Sequence, residues 1–253
     1  MNEDQWPWVL SKVGKKILRP GGRELTTQLL EGLHITSNDH VVEFAPGMGF
    51  TAMQVLKKHP KSYTGIEINE EAGKNLQEII RGENKRIIVG NASHADIESS
   101  SGDKVFGEAM LTMHADSRKS VIIHEAHRIL KGGGLYGIHE LCLVPDDMDP
   151  KDKVAIQKDL AKHTQVNTRP LTQSEWVALI EKEGFRIRNL WTRPMLLLEP
   201  SRIIRDEGIF NTLTTVYNVI RRPKARKKIL EMRKLFQSHR NEIKAIAVVA
   251  EKI

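Results

Sequence analysis

Cysteine is nearly absent: Cys142 is the only one in 253 residues. A single thiol excludes a disulfide framework and a thiolate metal cluster, and it fits a reducing, cytoplasmic setting. No stretch reaches the roughly 18 apolar residues that a bilayer-spanning helix requires. The acidic N-terminus lacks the pattern of a secretory signal. There is no internal repeat and no low-complexity tract. No His-Glu-x-x-His zinc signature occurs: His124 and His127 stand three apart in His-Glu-Ala-His, and they read as solvated helix residues, so no metal is expected. Aromatic residues make up 5% of the chain, too few for a surface built to stack bases.

What is present describes an ordinary globule, 40% hydrophobic and 28% charged. The length suits one large α/β domain with an added subdomain. The net charge of +7 is local. Residues 221–240 hold nine Lys/Arg against one acid, Glu231, so the remainder is close to neutral.

The informative stretch is His40 to Asn69. Val41, Val42 and Phe44 form a short apolar run of the kind that becomes a buried strand. It ends in Glu43-Phe44-Ala45-Pro46-Gly47-Met48-Gly49-Phe50, a turn with two glycines. A helix-compatible segment follows, then a second strand, Tyr63 to Ile66, closed by Glu67. Strand, glycine turn, helix, strand, acid is the first half of a nucleotide-binding α/β sheet. Glycine lets the backbone approach a ligand closely, and the terminal acid can accept from ribose hydroxyls.

Two cofactors fit these residues. Gly47 to Ala52 obeys the G-x-G-x-x-G/A dinucleotide pattern, with Glu67 about 20 residues on. Glu43, however, sits badly beside a pyrophosphate and well beside a ligand carrying an ammonium and a sulfonium. The run E-F-A-P-G-M-G followed by G-I-E-I-N resembles motifs I and II of the class I S-adenosylmethionine (SAM) methyltransferases. Glu125-Ala126-His127-Arg128-Ile129-Leu130-Lys131-Gly132-Gly133 is similar to that family's E-A-x-R-x-L-K-x-G-G phrase. No Tyr-x-x-x-Lys pair supports a short-chain dehydrogenase.

The resemblance implies a Rossmann-like, mostly parallel sheet of seven strands with helices on both faces. Its cofactor would be S-adenosyl-L-methionine, held by Glu43, Ala45, Gly47, Gly49, Glu67, Ile68, Asn91 and Ala92. Asn91 takes the place of an acid that holds the adenine edge, although plain turn chemistry explains it too. The resemblance extends to the broad ubiquinone/menaquinone and natural-product group of small-molecule methyltransferases.

Further strands are expected at 86–90 (buried), 104–113, 135–143, 187–198 and 243–250, the last entering antiparallel between the two before it. Thr172-Gln173-Ser174-Glu175 is a capping-box signature. Residues 1–35 read as an N-terminal helical arm that either closes the cofactor site or simply covers the sheet. Residues 36–200 and 241–253 form the SAM-binding domain. Residues 201–240, with 144–165 contributing, read as a helical lid inserted before the last strand. In the lid Ile209, Phe210, Leu213, Val216, Tyr217 and Ile220 share one helical face, as do Ala225, Ile229, Met232 and Phe236. Both faces are expected to turn inward.

Methyl transfer from a sulfonium requires alignment, exclusion of water and, for a protonated acceptor, a base. His114, His139 and Glu140 lie at strand ends facing the expected cofactor, and strand alternation allows at most one of the last two to serve. The acceptor is expected to be a small, largely apolar molecule. The basic stretch 221–240 is either a solvated surface or a contact with an anionic membrane. The alternative is an RNA or DNA base methyltransferase, since E-F-A-P-G-M-G-F-T also resembles the rRNA adenine dimethylases. Their Asn-x-Pro-Tyr/Phe motif is replaced here by Glu108-Ala109-Met110-Leu111. A binding protein that keeps the fold without catalysis is the third reading.

Overall fold

The computed structural model describes residues 9–10, 12–15 and 18–253. Trp6 and Ile17 of the expected arm helix lie outside the described residues. Strand β1 (His40–Phe44) pairs in parallel with β2 (Ser62–Glu67) on one side and β4 (Gly102–Glu108) on the other. β3 (Lys85–Val89) adds to β2. β5 (Leu130–Leu143) adds to β4. The last strand, β8 (Ile243–Lys252), enters antiparallel between β5 and β7 (Phe185–Pro194). The order is β3-β2-β1-β4-β5-β8-β7, with a two-residue strand β6 (Leu171–Thr172) beside β5. This is the mostly parallel Rossmann-like sheet expected from the sequence.

Two apolar layers sandwich the sheet, and the alternation of β1 distributes them. Val41 faces one layer with α1 (Gly22–Gly32), whose Leu25, Leu29 and Leu30 are buried. Val42 and Phe44 face the other, where α4 (Asp116–Ile129) and Trp176 of α6 (Gln173–Lys182) pack. α2 (Phe50–Leu56) and α3 (Glu70–Ile79) join the first layer through Ala52, Val55 and Leu76. The capping box forms: Thr172 accepts from the Glu175 amide, and Glu175 accepts from the Thr172 amide.

A third cluster lies at the carboxyl end of β5. Leu141, Leu143 and Ile243 meet Ile156 and Leu160 of α5 (Pro150–Thr164) and Met232 and Leu235 of α9 (Pro223–Ser238). Two further helices precede α9, α7 (Pro200–Glu207) and α8 (Ile209–Arg221), separated by Gly208 at φ +77°.

Four expectations are corrected. β3 is an edge strand, with Ile87 its one buried residue. The fourth strand stops at Glu108, where Ala109 turns at φ +53°, and Leu111–Met113 forms a 3₁₀ turn. Strand pairing of β7 ends at Pro194, and Met195, Leu197 and Leu198 fold into the third cluster. The apolar face of α8 points outward, with Phe210 at 87% exposure. The face of α9 is turned in as expected, Met232 being buried with Ile229 and Phe236 packed against it.

Candidate functional site

The site forms where β1, β2, β4 and β5 end. After Phe44 the chain turns through Ala45 (φ +53°), Gly47 (φ +59°) and Gly49 (φ +76°), and Gly49 precedes the first residue of α2. A left-handed conformation favours glycine. A Cβ added at Gly47 would meet only the Ala45 carbonyl oxygen, 3.9 Å away, so the turn leaves an open cradle. At Gly49 a Cβ would strike Leu76 at 2.7 Å, so this glycine serves packing as well.

Glu67 closes the cradle from the side. Its Oε2 accepts from the Gly47 amide at 2.9 Å, and its Oε1 from the Asn69 amide at 2.9 Å. The carboxylate therefore spans both turns and keeps lone pairs beyond these two bonds. Beyond it Ile68 is 56% exposed and Met48 49% exposed. Two apolar side chains thus stand uncovered at the rim of a polar turn. Asn91 sits half-buried after β3, where its Oδ1 accepts from the amide and hydroxyl of Ser93. That is turn chemistry, and it leaves the side-chain NH₂ to donate. Ala92 is buried beside it.

Glu43 stands apart from this group. Alternation puts it on the face of Val41, where its carboxyl accepts from the Tyr63 hydroxyl at 2.6 Å. Burial pushes its pKa up to about 8. It is a neutral or near-neutral acid beneath the turn, unlike the expected anion facing a cationic ligand.

His139 and Glu140 do diverge to opposite faces. His139 is fully buried. The Gly21 amide donates to its Nε2 at 2.9 Å, so that nitrogen is unprotonated and Nδ1 carries the proton toward Glu108 Oε1 at 2.8 Å. Glu140, also fully buried, accepts from the Met110, Leu111 and Thr112 amides and from the Thr112 hydroxyl. Burial raises its pKa against the pull of these donors. Both side chains are occupied in holding the backbone around the site. His114 is half-buried, and no described residue hydrogen-bonds its ring. Burial, with Arg118 and Lys119 nearby, lowers its pKa and leaves the imidazole neutral at physiological pH.

Sequence reading missed the role of Glu108. Arg19 Nε donates to it at 2.6 Å, the Thr26 and Thr51 hydroxyls each at 2.5 Å, and His139 completes the set. Burial would raise its pKa, but Arg19 and His139 outweigh it and hold the carboxyl well below the usual range. One buried carboxylate thereby ties the residue before the Pro20-Gly21-Gly22 turn to α1, α2, β4 and β5. A lone acid at the end of a strand gives no spacing signal, since Arg19 is 89 residues away.

Beside these strand ends lies a partly open cavity of about 70 Å³. Its walls come from Leu18 and Pro20, from Ala109, Thr112 and Met113 after β4, from Leu160 and Thr164 of α5, and from Thr168, Met195, Leu197 and Phe236. The lining is chiefly apolar, with threonine hydroxyls and the buried Glu140 as its polar groups.

Comparison with known proteins agrees with this geometry. Residues 41–134 match a family described as a methyltransferase domain. An uncharacterized protein of Haemophilus influenzae is 33% identical over 247 residues, 96% of each chain. Among solved structures, the [4+2]-cyclase SpnF superposes with a TM-score of 0.73 at 14% identity, covering 99% of this chain and 93% of that one. The geranyl diphosphate C-methyltransferase of Streptomyces coelicolor, solved with Mg2+, geranyl diphosphate and S-adenosyl-L-homocysteine, superposes with a TM-score of 0.64 at 14% identity, covering 90% of this chain and 76% of that one.

Proposed function

We propose that this chain, whose residues 41–134 match a methyltransferase domain, is a class I SAM-dependent methyltransferase that transfers the SAM methyl group to a small, largely apolar acceptor bound in the cavity beside β4 and β5. The observation that carries the proposal is the pairing of two unlike spaces at one sheet edge. One is the open backbone cradle at Gly47 with Glu67 at its side; the other is the apolar cavity under α5 and α9.

The residues present fit SAM. The cradle at Gly47 admits a close backbone approach, Glu67 has acceptor capacity for ribose hydroxyls, and the exposed Ile68 gives an apolar face for a flat base. The Asn91 amide and the Ala92 backbone would meet its edge. Glu43 acts from below, through Tyr63 and the packing of the turn. Bound SAM supplies an electrophilic methyl carbon on a sulfonium, so the protein's share is alignment and dryness.

Glu140 serves alignment by fixing the 110–112 backbone, and the Arg19–Glu108–His139 hub fixes the Gly21–Gly22 turn opposite. For an acceptor that sheds a proton, His114 is the residue with an available neutral nitrogen, and its neighbour Met113 lines the cavity. The cavity's volume is well below the roughly 300–1,000 Å³ of typical ligand sites. Parting of α5 and α9 would admit an acceptor of more than a few carbons, in keeping with reading 144–165 and 201–240 as a lid. A base substrate is disfavoured because, among the described residues that line the cavity, Phe236 is the one aromatic.

The test is incubation with methyl-labelled SAM, a small-molecule cell extract and total RNA, followed by organic extraction. Label is expected in an organic-soluble small molecule and absent from RNA. Val166 also lines the cavity, and Val166→Trp, which fills it, should abolish that label while SAM binding persists. Label confined to RNA would overturn the reading.

A further inference from the structure

Helix α8 is inside out. Its inner stripe is polar: Asn211 Nδ2 donates to the Gly14 carbonyl at 3.2 Å, Asn218 Nδ2 to the Val13 carbonyl at 3.2 Å, and Thr215 between them is buried. Arg222 extends the stripe and donates to the Lys12 carbonyl at 2.6 Å. The spacing of four, three and four residues is one helical face. The opposite face exposes Ile209, Phe210, Leu213, Val216, Tyr217 and Ile220, from 49% at Val216 to 87% at Phe210. Monomeric proteins rarely present a contiguous apolar ridge of this kind without using it.

Charge indicates the occupant. From Gly208 to Leu230 the chain carries six Lys/Arg and no acid. Lys224, Arg226 and Lys227 are exposed at the start of α9, directly after the ridge, and Arg221 stacks over Tyr217. The nearest preceding acids are turned inward, Asp206 to Arg202 and Arg23, and Glu207 to Lys15. A second copy docked on this face about a two-fold axis would set like charges against each other. A convex apolar ridge flanked by cations matches the interface of an anionic lipid bilayer. No described helix is long and apolar enough to cross a membrane, so the contact is peripheral.

We propose that the outer face of α8, with the basic start of α9, docks the protein on an anionic membrane surface. The ridge enters the headgroup boundary, and Lys224, Arg226 and Lys227 meet lipid phosphates. α9 carries this basic flank and also contributes Phe236 to the cavity, so docking places the lid helix against the phase in which an apolar acceptor resides. That purpose rests on the acceptor reading above; the docking itself does not.

The test is co-sedimentation of the full chain with vesicles of equal parts phosphatidylcholine and phosphatidylglycerol, without SAM or acceptor, so a failure leaves the methyltransferase reading untouched. The wild-type protein should bind these vesicles, bind pure phosphatidylcholine far less, and release as salt rises. Combined Phe210→Ser, Leu213→Ser and Val216→Ser should lower binding at least about tenfold. Arg226→Gln with Lys227→Gln should remove most of the salt dependence. Both variants should keep the wild-type melting temperature and SAM affinity, since none of these side chains is buried. A wild-type protein that ignores anionic vesicles, or vesicle binding unchanged in both variants, overturns the proposal. So does a dimer by light scattering that the apolar triple variant dissociates while no vesicle binding is seen.

Discussion

Helices α8 and α9 are neighbours in sequence and both are amphipathic, yet they face opposite ways. α9 turns Met232 and Leu235 onto Ile156, Leu160 and Leu143. α8 turns Asn211, Thr215 and Asn218 inward and leaves its apolar stripe in solvent. The difference lies in what each helix meets. α9 meets apolar side chains from α5 and the end of β5, so burying its stripe removes area from water at roughly 25 cal/mol per Å². α8 meets the backbone of residues 12–14, whose carbonyls need donors. Periodicity defines a face; the surface beneath decides its direction.

That contrast can be broken by substitution. Met232→Ala, in the buried stripe, should cost about 2–5 kcal/mol of stability in urea unfolding, the range for truncating a core side chain. Leu213→Ala, at the matching depth of the outward stripe, should stay within about 0.5 kcal/mol. Equal losses at the two positions would mean that α8 packs inward after all.

A second measurement sharpens the comparison by asking what happens when a polar group is turned in without enough partners. The α8 asparagines find carbonyls, whereas Glu43 finds the Tyr63 hydroxyl and little else. Its folded pKa of about 8 lies above the ordinary glutamate value of 4.5. Stability from this group is therefore fully present below the lower value and is lost as pH rises through the higher one. Glu43→Gln should flatten the wild-type loss of stability between those two pH values, in unfolding measured at several pH values. A variant whose pH profile parallels the wild type would place the titration elsewhere.

The glycine turn and the strand ends around it were legible because their signals are local. The Gly47 and Gly49 turn, Glu67 at the end of β2 and the capping box at Thr172 each lie within a few residues of their partners or follow from strand–turn–helix order. β3 read as buried because an apolar triplet looks alike at an edge and in a centre, and only the strand order shows that no described strand pairs with its far side. The roles of Glu108, His139 and Glu140 were hidden for the opposite reason. Their partners Arg19, Gly21 and Met110–Thr112 come from distant turns, and adjacency in the fold leaves no spacing in the chain. An acid or histidine at a strand end reads as a candidate base until its hydrogen bonds are counted.

The central claim is that the Gly47–Glu67 edge holds SAM. Isothermal titration calorimetry of the wild-type chain with SAM, S-adenosylhomocysteine and NAD tests it most directly. SAM and its demethylated product should bind with comparable affinity and NAD should not. Glu67→Ala should weaken SAM binding by about 1.5–3 kcal/mol, the scale of hydrogen bonds to a charged group. Gly47→Val should weaken it further by filling the cradle. Binding of NAD without SAM, or SAM binding unchanged in both variants, would contradict the account.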